Sequence, residues 1–141
     1  MIQFYVKQKK KRRKKSRRGH YKRGTFTSVK TQGICNYRSG WELAYMQYLD
    51  SSDVVKSFEY ENIVIPYVSN IRTGKQRKYY PDFLVEYVDG HRELVEIKPK
   101  KRLQQVTVQK KLKAAEEWCR ASGVTLVVIT ECELKVLHLL K

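Results

Sequence analysis

Cysteine is scarce in this chain. Cys35, Cys119 and Cys132 are its only three in 141 residues, widely spaced and without a Cys-x-x-Cys pair. An odd, scattered set excludes a disulfide framework and a zinc knuckle, and His20, His91 and His138 are too far apart in sequence to supply missing ligands. Cys119 is expected on the apolar side of a helix and Cys132 just after a buried strand, both as small core or near-core residues in a reducing compartment. Long apolar runs are missing too: no stretch approaches the roughly 20 residues of a spanning helix. The basic start is not followed by the apolar segment of a signal peptide, so a cytoplasmic location is expected.

Acidic residues are absent from the first thirty positions, which hold thirteen of the thirty Lys and Arg residues. The remaining seventeen basic side chains nearly balance the fourteen acidic ones, so the net charge of +16 belongs mostly to one end. A run such as KQKKKRRKKSRR repels itself and has little to bury, and is read as disordered when free. Its natural partner is a polyanion, and nucleic acid fits best because neutralising phosphates releases counterions. A membrane surface fits less well, since the arm has no regular apolar face; a localisation tail is the plain alternative. Residues 1–34 are therefore expected to be a basic arm and 35–141 one folded domain. Lys10, Lys11, Arg12, Arg13, Lys14, Lys15, Arg17 and Arg18 are the expected phosphate contacts.

Within the domain, Ser39 and Glu42 form a capping-box pattern ahead of Trp41, Ala44, Tyr45, Tyr48 and Leu49 at helical spacing, which predicts a helix over Gly40–Leu49. Two short strands are expected between Val54 and Val68, broken near Glu61-Asn62 or at Pro66. The polar segment SNIRTGKQRK is expected to be a hairpin loop presenting Arg72, Lys75, Arg77 and Lys78 to nucleic acid. Strands over 78–88 and 92–98 are joined by Asp89-Gly90, a dipeptide favoured in type I′ turns. Val108, Leu112, Ala115 and Cys119 mark the buried face of a helix over 104–121, closed by Gly123. VTLVVIT reads as a buried strand, and ELKVLHLL is open between a short helix and a terminal strand. This order predicts an α/β fold with a mixed sheet flanked by helices.

The chemistry concentrates in YYPDFLVEYVDGHRELVEIKPK. Pro81 interrupts its strand, so a bend, bulge or edge is expected there, of the kind that re-aims a side chain. The hairpin brings Asp82 and Glu96 together, and Lys98, two residues beyond Glu96, points to the same face. Asp82 and Glu96 are hard oxygen ligands for Mg²⁺, with Mn²⁺ as substitute and the Ile97 carbonyl as a further donor. The Lys98 ammonium suits phosphodiester hydrolysis, where charge builds on the phosphate. The plain alternatives are a turn residue for Asp82 and a cross-strand ion pair for Glu96 and Lys98. Gln109 and Lys110 are weaker candidates for contact with the phosphate, more simply read as solvated helix surface.

Pro81-Asp82 followed by Glu96-x-Lys98 resembles the PD-(D/E)xK nuclease superfamily. Over about residues 37–100, Arg38-Ser39-x-Trp41-Glu42, Ile65-Pro66-Tyr67, Tyr80-Pro81-Asp82 and Glu96-Ile97-Lys98-Pro99 resemble phage head-completion nucleases and TnsA-like endonucleases. The resemblance implies a restriction-endonuclease-like αβββαβ core, Glu42, Asp82 and Glu96 as metal ligands, Lys98 as the catalytic lysine, and DNA as substrate. It also implies partners: phage head or neck proteins, or a transposase-like subunit. Glu42 has the competing role of cap, with Glu59 and Glu61 as fallback carboxylates. Two other functions stay open: a non-catalytic packaging or ribosome-associated nucleic-acid binder, and a Holliday-junction resolvase.

Overall fold

The structure is a computed structural model and describes residues 23–140. Strands β1 (Gly24–Phe26) and β2 (Cys35–Tyr37) form an antiparallel ribbon that leads into helix α1 (Gly40–Ser51). Strands β3 (Val55–Tyr60), β4 (Ile65–Asn70), β5 (Lys75–Tyr79), β6 (Phe83–Tyr87) and β7 (Arg92–Ile97) follow. A 3₁₀ turn at Lys100–Arg102, helix α2 (Val106–Ser122), strand β8 (Thr125–Ile129) and helix α3 (Glu131–Val136) complete the chain. The central sheet has the order β3-β6-β7-β8. Its first three strands are antiparallel, and α2 carries the chain across to β8, which pairs parallel with β7. The sheet is therefore mixed, as predicted.

Alternation along β6 and β7 divides their side chains between two apolar layers. Phe83, Val85, Val95 and Ile97 join Tyr45, Met46 and Leu49 of α1 and Leu134 of α3 on one face. Leu94 meets Ala115 and Cys119 of α2, with Ile65, Tyr67 and Tyr79 of the β4–β5 hairpin, on the other. That hairpin is inserted between the first two strands of an α1-β3-β6-β7-α2-β8 core, which has the αβββαβ order.

Several expectations are corrected. The run over 78–88 is not one strand: β5 ends at Tyr79 in the small sheet and β6 begins at Phe83 in the large one. Pro81, fully buried between them, has no amide to donate to a ladder. Lys75, Arg77 and Lys78 lie on β5 itself, and only Arg72 is in the turn. Pro66 does not break β4, which pairs on one side only and so tolerates the missing donor. The β6–β7 connection is not type I′, because among the described residues Gly90 has positive φ and Asp89 does not. Paired structure begins at β1, before the predicted start at Cys35. Lys30 is fixed there by bonds from its ammonium to the Leu49 and Ser52 carbonyls at the end of α1. Cys132 is exposed at the start of α3, because Leu134 fills the core position instead. The expected contacts from Lys10 to Arg18 lie outside the described residues. Among the described residues no helix is long and apolar enough to cross a membrane.

Candidate active site

The β6–β7 register places Phe83 opposite Val95, and one further step sets Asp82 across from Glu96. Both carboxylates are buried, at 9% and 5% exposure. Asp82 Oδ2 accepts the Ile97 amide at 2.7 Å, which locks it to the end of β7. Glu96 Oε1 lies 3.2 Å from the Lys98 ammonium, whose side chain is 19% exposed, so this cation sits at the opening of the site. The predicted grouping of Asp82, Glu96 and Lys98 is present, with Val95 and Ile97 packed on the opposite face.

Two more carboxylates reach this place. Glu42 closes the capping box of α1, its Oε2 accepting the Arg38 and Ser39 amides at 2.6 and 3.1 Å while its own amide bonds Ser39 Oγ. The same oxygen accepts the Tyr60 hydroxyl at 3.2 Å. Capping does not take Glu42 away from the site: oxygens of Glu42, Glu61 and Asp82 all lie within 4.8 Å of one another. Glu61 follows β3 with φ 48°, a left-handed backbone unusual for a residue with a Cβ. Its amide bonds the Asp82 carbonyl at 2.9 Å and its carboxylate pairs with Arg38 at 2.8 Å. Glu59, by contrast, is held by Asn62 and stays outside the cluster.

Electrostatics mark the cluster as short of positive charge. Burial, then the Glu96 charge, raise the Asp82 carboxyl well above the usual carboxylate range, against the opposing Ile97 amide. Burial raises Glu61 as well, with Arg38 opposing and Glu42 and Glu96 adding to the rise. Four carboxylates face two cations, Lys98 and the largely exposed Arg38. An all-oxygen donor set with an excess of negative charge fits a hard divalent cation such as Mg²⁺.

Gln109 and Lys110 serve the scaffold. The Gln109 amide donates to the Leu103 carbonyl and the Lys110 ammonium to the Ser69 carbonyl at 2.8 Å, tying α2 to β4. The sequence reading missed Tyr60 and Tyr79, the hydroxyl donors to Glu42 and Glu96. The pairing of Arg38 with Glu61 was also missed, and no local pattern signals any of these long-range contacts.

Raised carboxyl values set the sign of a pH effect. Folding favours neutral Asp82 and Glu61, so their contribution is present below the ordinary carboxylate range and is lost as pH rises through the raised values. Asp89 and Glu133 move the other way, through bonds to His91 and Thr130, and their contribution fades only in acid. In EDTA the melting temperature should therefore fall as pH rises above the ordinary carboxylate range. Saturating Mg²⁺ should reverse the fall, by roughly 2.7 kcal/mol at a hundredfold excess over Kd. A scan of melting temperature against pH, with and without Mg²⁺, checks both.

A mixed sheet flanked by helices, with carboxylates and a lysine gathered where β6 begins and β7 ends, is the arrangement expected of the PD-(D/E)xK superfamily. The family model for the TnsA-like endonuclease N-terminal domain matches residues 52–131, more than half of the chain, and the chain belongs to that family. Glu61, Asp82, Glu96 and Lys98 fall inside the match, and Glu42 precedes it. Over 68 residues the chain is 38% identical to the head completion nuclease of Enterobacteria phage T4, a stretch covering 48% of this chain and 45% of that protein. The chain thus spans about half the length of that relative.

Proposed function

We propose that the chain is a Mg²⁺-dependent DNA endonuclease, with Mn²⁺ able to substitute. Glu42, Asp82 and Glu96 are its metal ligands, joined by Glu61 and the Ile97 carbonyl, and Lys98 is its catalytic lysine. One observation supports this above others: three carboxylates converge within 4.8 Å beside a Glu96–Lys98 pair, in a chain of an endonuclease family. Mg²⁺ held by these residues would supply positive charge near the scissile phosphate and lower the pKa of a neighbouring water. Lys98, partly exposed and steadied by Glu96, donates to a phosphate oxygen as negative charge grows on it. Asp82, held by the Ile97 amide, keeps Oδ1 free of hydrogen bonds among the described residues. A protein that only bound phosphates would gain nothing from such carboxylates, which repel the backbone.

The basic arm, Lys10 to Arg18 above all, and the exposed Arg72, Lys75, Arg77 and Lys78 of the hairpin bind the DNA backbone. The arm precedes a nuclease domain whose paired structure starts at Gly24. Likeness to a head completion nuclease makes phage head or neck proteins the partners to test first, in the host cytoplasm or the virion, with a transposase-like subunit second.

Supercoiled, linear and branched DNA incubated with Mg²⁺ or EDTA test this reading. Nicked and linear products from supercoiled DNA are expected with Mg²⁺ alone. Cleavage confined to branched DNA would move the assignment to a junction resolvase, and no cleavage of any substrate would leave a nucleic-acid binder.

Glu42→Gln separates the two roles of Glu42, because glutamine completes a capping box as well as glutamate does. The expected outcome is an unchanged or slightly higher metal-free melting temperature with a cleavage rate about 10–100-fold lower. Unchanged cleavage would leave Glu42 as a cap only.

A further inference from the structure

We infer that Tyr79 is a positioning residue for Glu96, and that it ties the cationic β4–β5 hairpin to the active site; this rests on the metal-dependent reading above. Both oxygens of Glu96 are engaged. The Tyr79 hydroxyl donates to Oε2 at 2.6 Å, and the Lys98 ammonium lies 3.2 Å from Oε1. Both residues are buried, Tyr79 at 4% exposure and Glu96 at 5%. The terminal torsion of a glutamate is broad, so packing alone does not fix its carboxylate plane. Two donors from different elements do.

Tyr79 arrives from outside the sheet that carries Glu96. It ends β5, and the four residues before it, Lys75 to Lys78, are all exposed. Its ring is packed with Ile65, Tyr67 and Leu94, and the Lys111 ammonium of α2 stands 5.7 Å from the ring centroid. A strand that offers cations to the DNA backbone thus ends in the group that orients an active-site carboxylate. Outer-shell hydrogen bonds of this kind set ligand orientation and metal affinity.

Calorimetric titration of the full chain with Mn²⁺, alongside cleavage kinetics, tests the assignment in Tyr79→Phe. Phenylalanine keeps the apolar contacts of the ring, and the metal-free melting temperature and circular dichroism establish the fold. Mn²⁺ affinity should fall about 10–100-fold. Turnover at saturating Mn²⁺ should fall too, with KM for DNA unchanged within about threefold. Unchanged or tighter Mn²⁺ binding in a folded Tyr79→Phe protein would overturn the role of Tyr79 and leave the metal site standing. No Mn²⁺ binding by the unsubstituted chain would overturn the metal reading, and this role with it.

Discussion

Asp82→Asn should abolish DNA cleavage, by roughly a thousandfold or more, while making the metal-free protein more stable above neutral pH. The two effects have one cause. Asp82 is buried among Glu42, Glu61 and Glu96, where its charge is costly without a cation, and burial together with Glu96 holds its carboxyl well above the usual range. Asparagine keeps an oxygen for the Ile97 amide and removes the charge. A carboxylate that served only as a turn residue, re-aimed beside Pro81, would share the gain in stability but not the loss of cleavage. Initial cleavage rates and thermal melts at pH 8 in EDTA measure both, and normal cleavage by Asp82→Asn at matched circular dichroism would sink the nuclease assignment. Glu96→Ala and Lys98→Ala should also abolish cleavage, by loss of a ligand and of the ammonium at the phosphate.

Deleting residues 1–22 should weaken DNA binding sharply and flatten its dependence on salt, with the chemical step intact. This cut stops short of β1 and of Lys30, whose bonds to the end of α1 belong to the folded domain. It removes eleven Lys and Arg residues and no acidic ones. Each phosphate that the arm neutralises adds about 0.9 to the slope of log affinity against log salt, so an arm that neutralises six would take roughly five units of slope with it. Truncated protein at high concentration should still cut, the loss falling on apparent affinity and not on turnover. Fluorescence anisotropy across a salt series gives the slope. An unchanged affinity and slope would make the arm a localisation or protein-docking segment.

The core was legible where short-range patterns carry it. Ser39 and Glu42 announced α1, Gly123 closed α2 in the left-handed conformation, and the apolar spacing of Val108, Ala115 and Cys119 gave its buried face. Asp82 and Glu96 could be paired because a hairpin fixes the register of its strands, and one register step decides which face each side chain takes. What stayed hidden depends on chain segments far apart in sequence. Glu61, in sequence a fallback carboxylate no better than Glu59, is drawn in by a backbone bond to Asp82 and by Arg38, and Tyr79 reaches Glu96 only because β5 leaves the main sheet. The ambiguity of ELKVLHLL was resolvable from sequence. Thr130 and Glu133 form a second capping box, and the helix they start is α3.

Crystals grown with Mn²⁺ and measured for anomalous scattering test the central claim most directly, since they report where the ion sits. The account predicts a Mn²⁺ peak at about 2.1 Å from an Asp82 oxygen, shared with Glu96 or with Glu42 and Glu61. Crystals saturated with Mn²⁺ that show no peak among these carboxylates, or only peaks elsewhere on the surface, would contradict it.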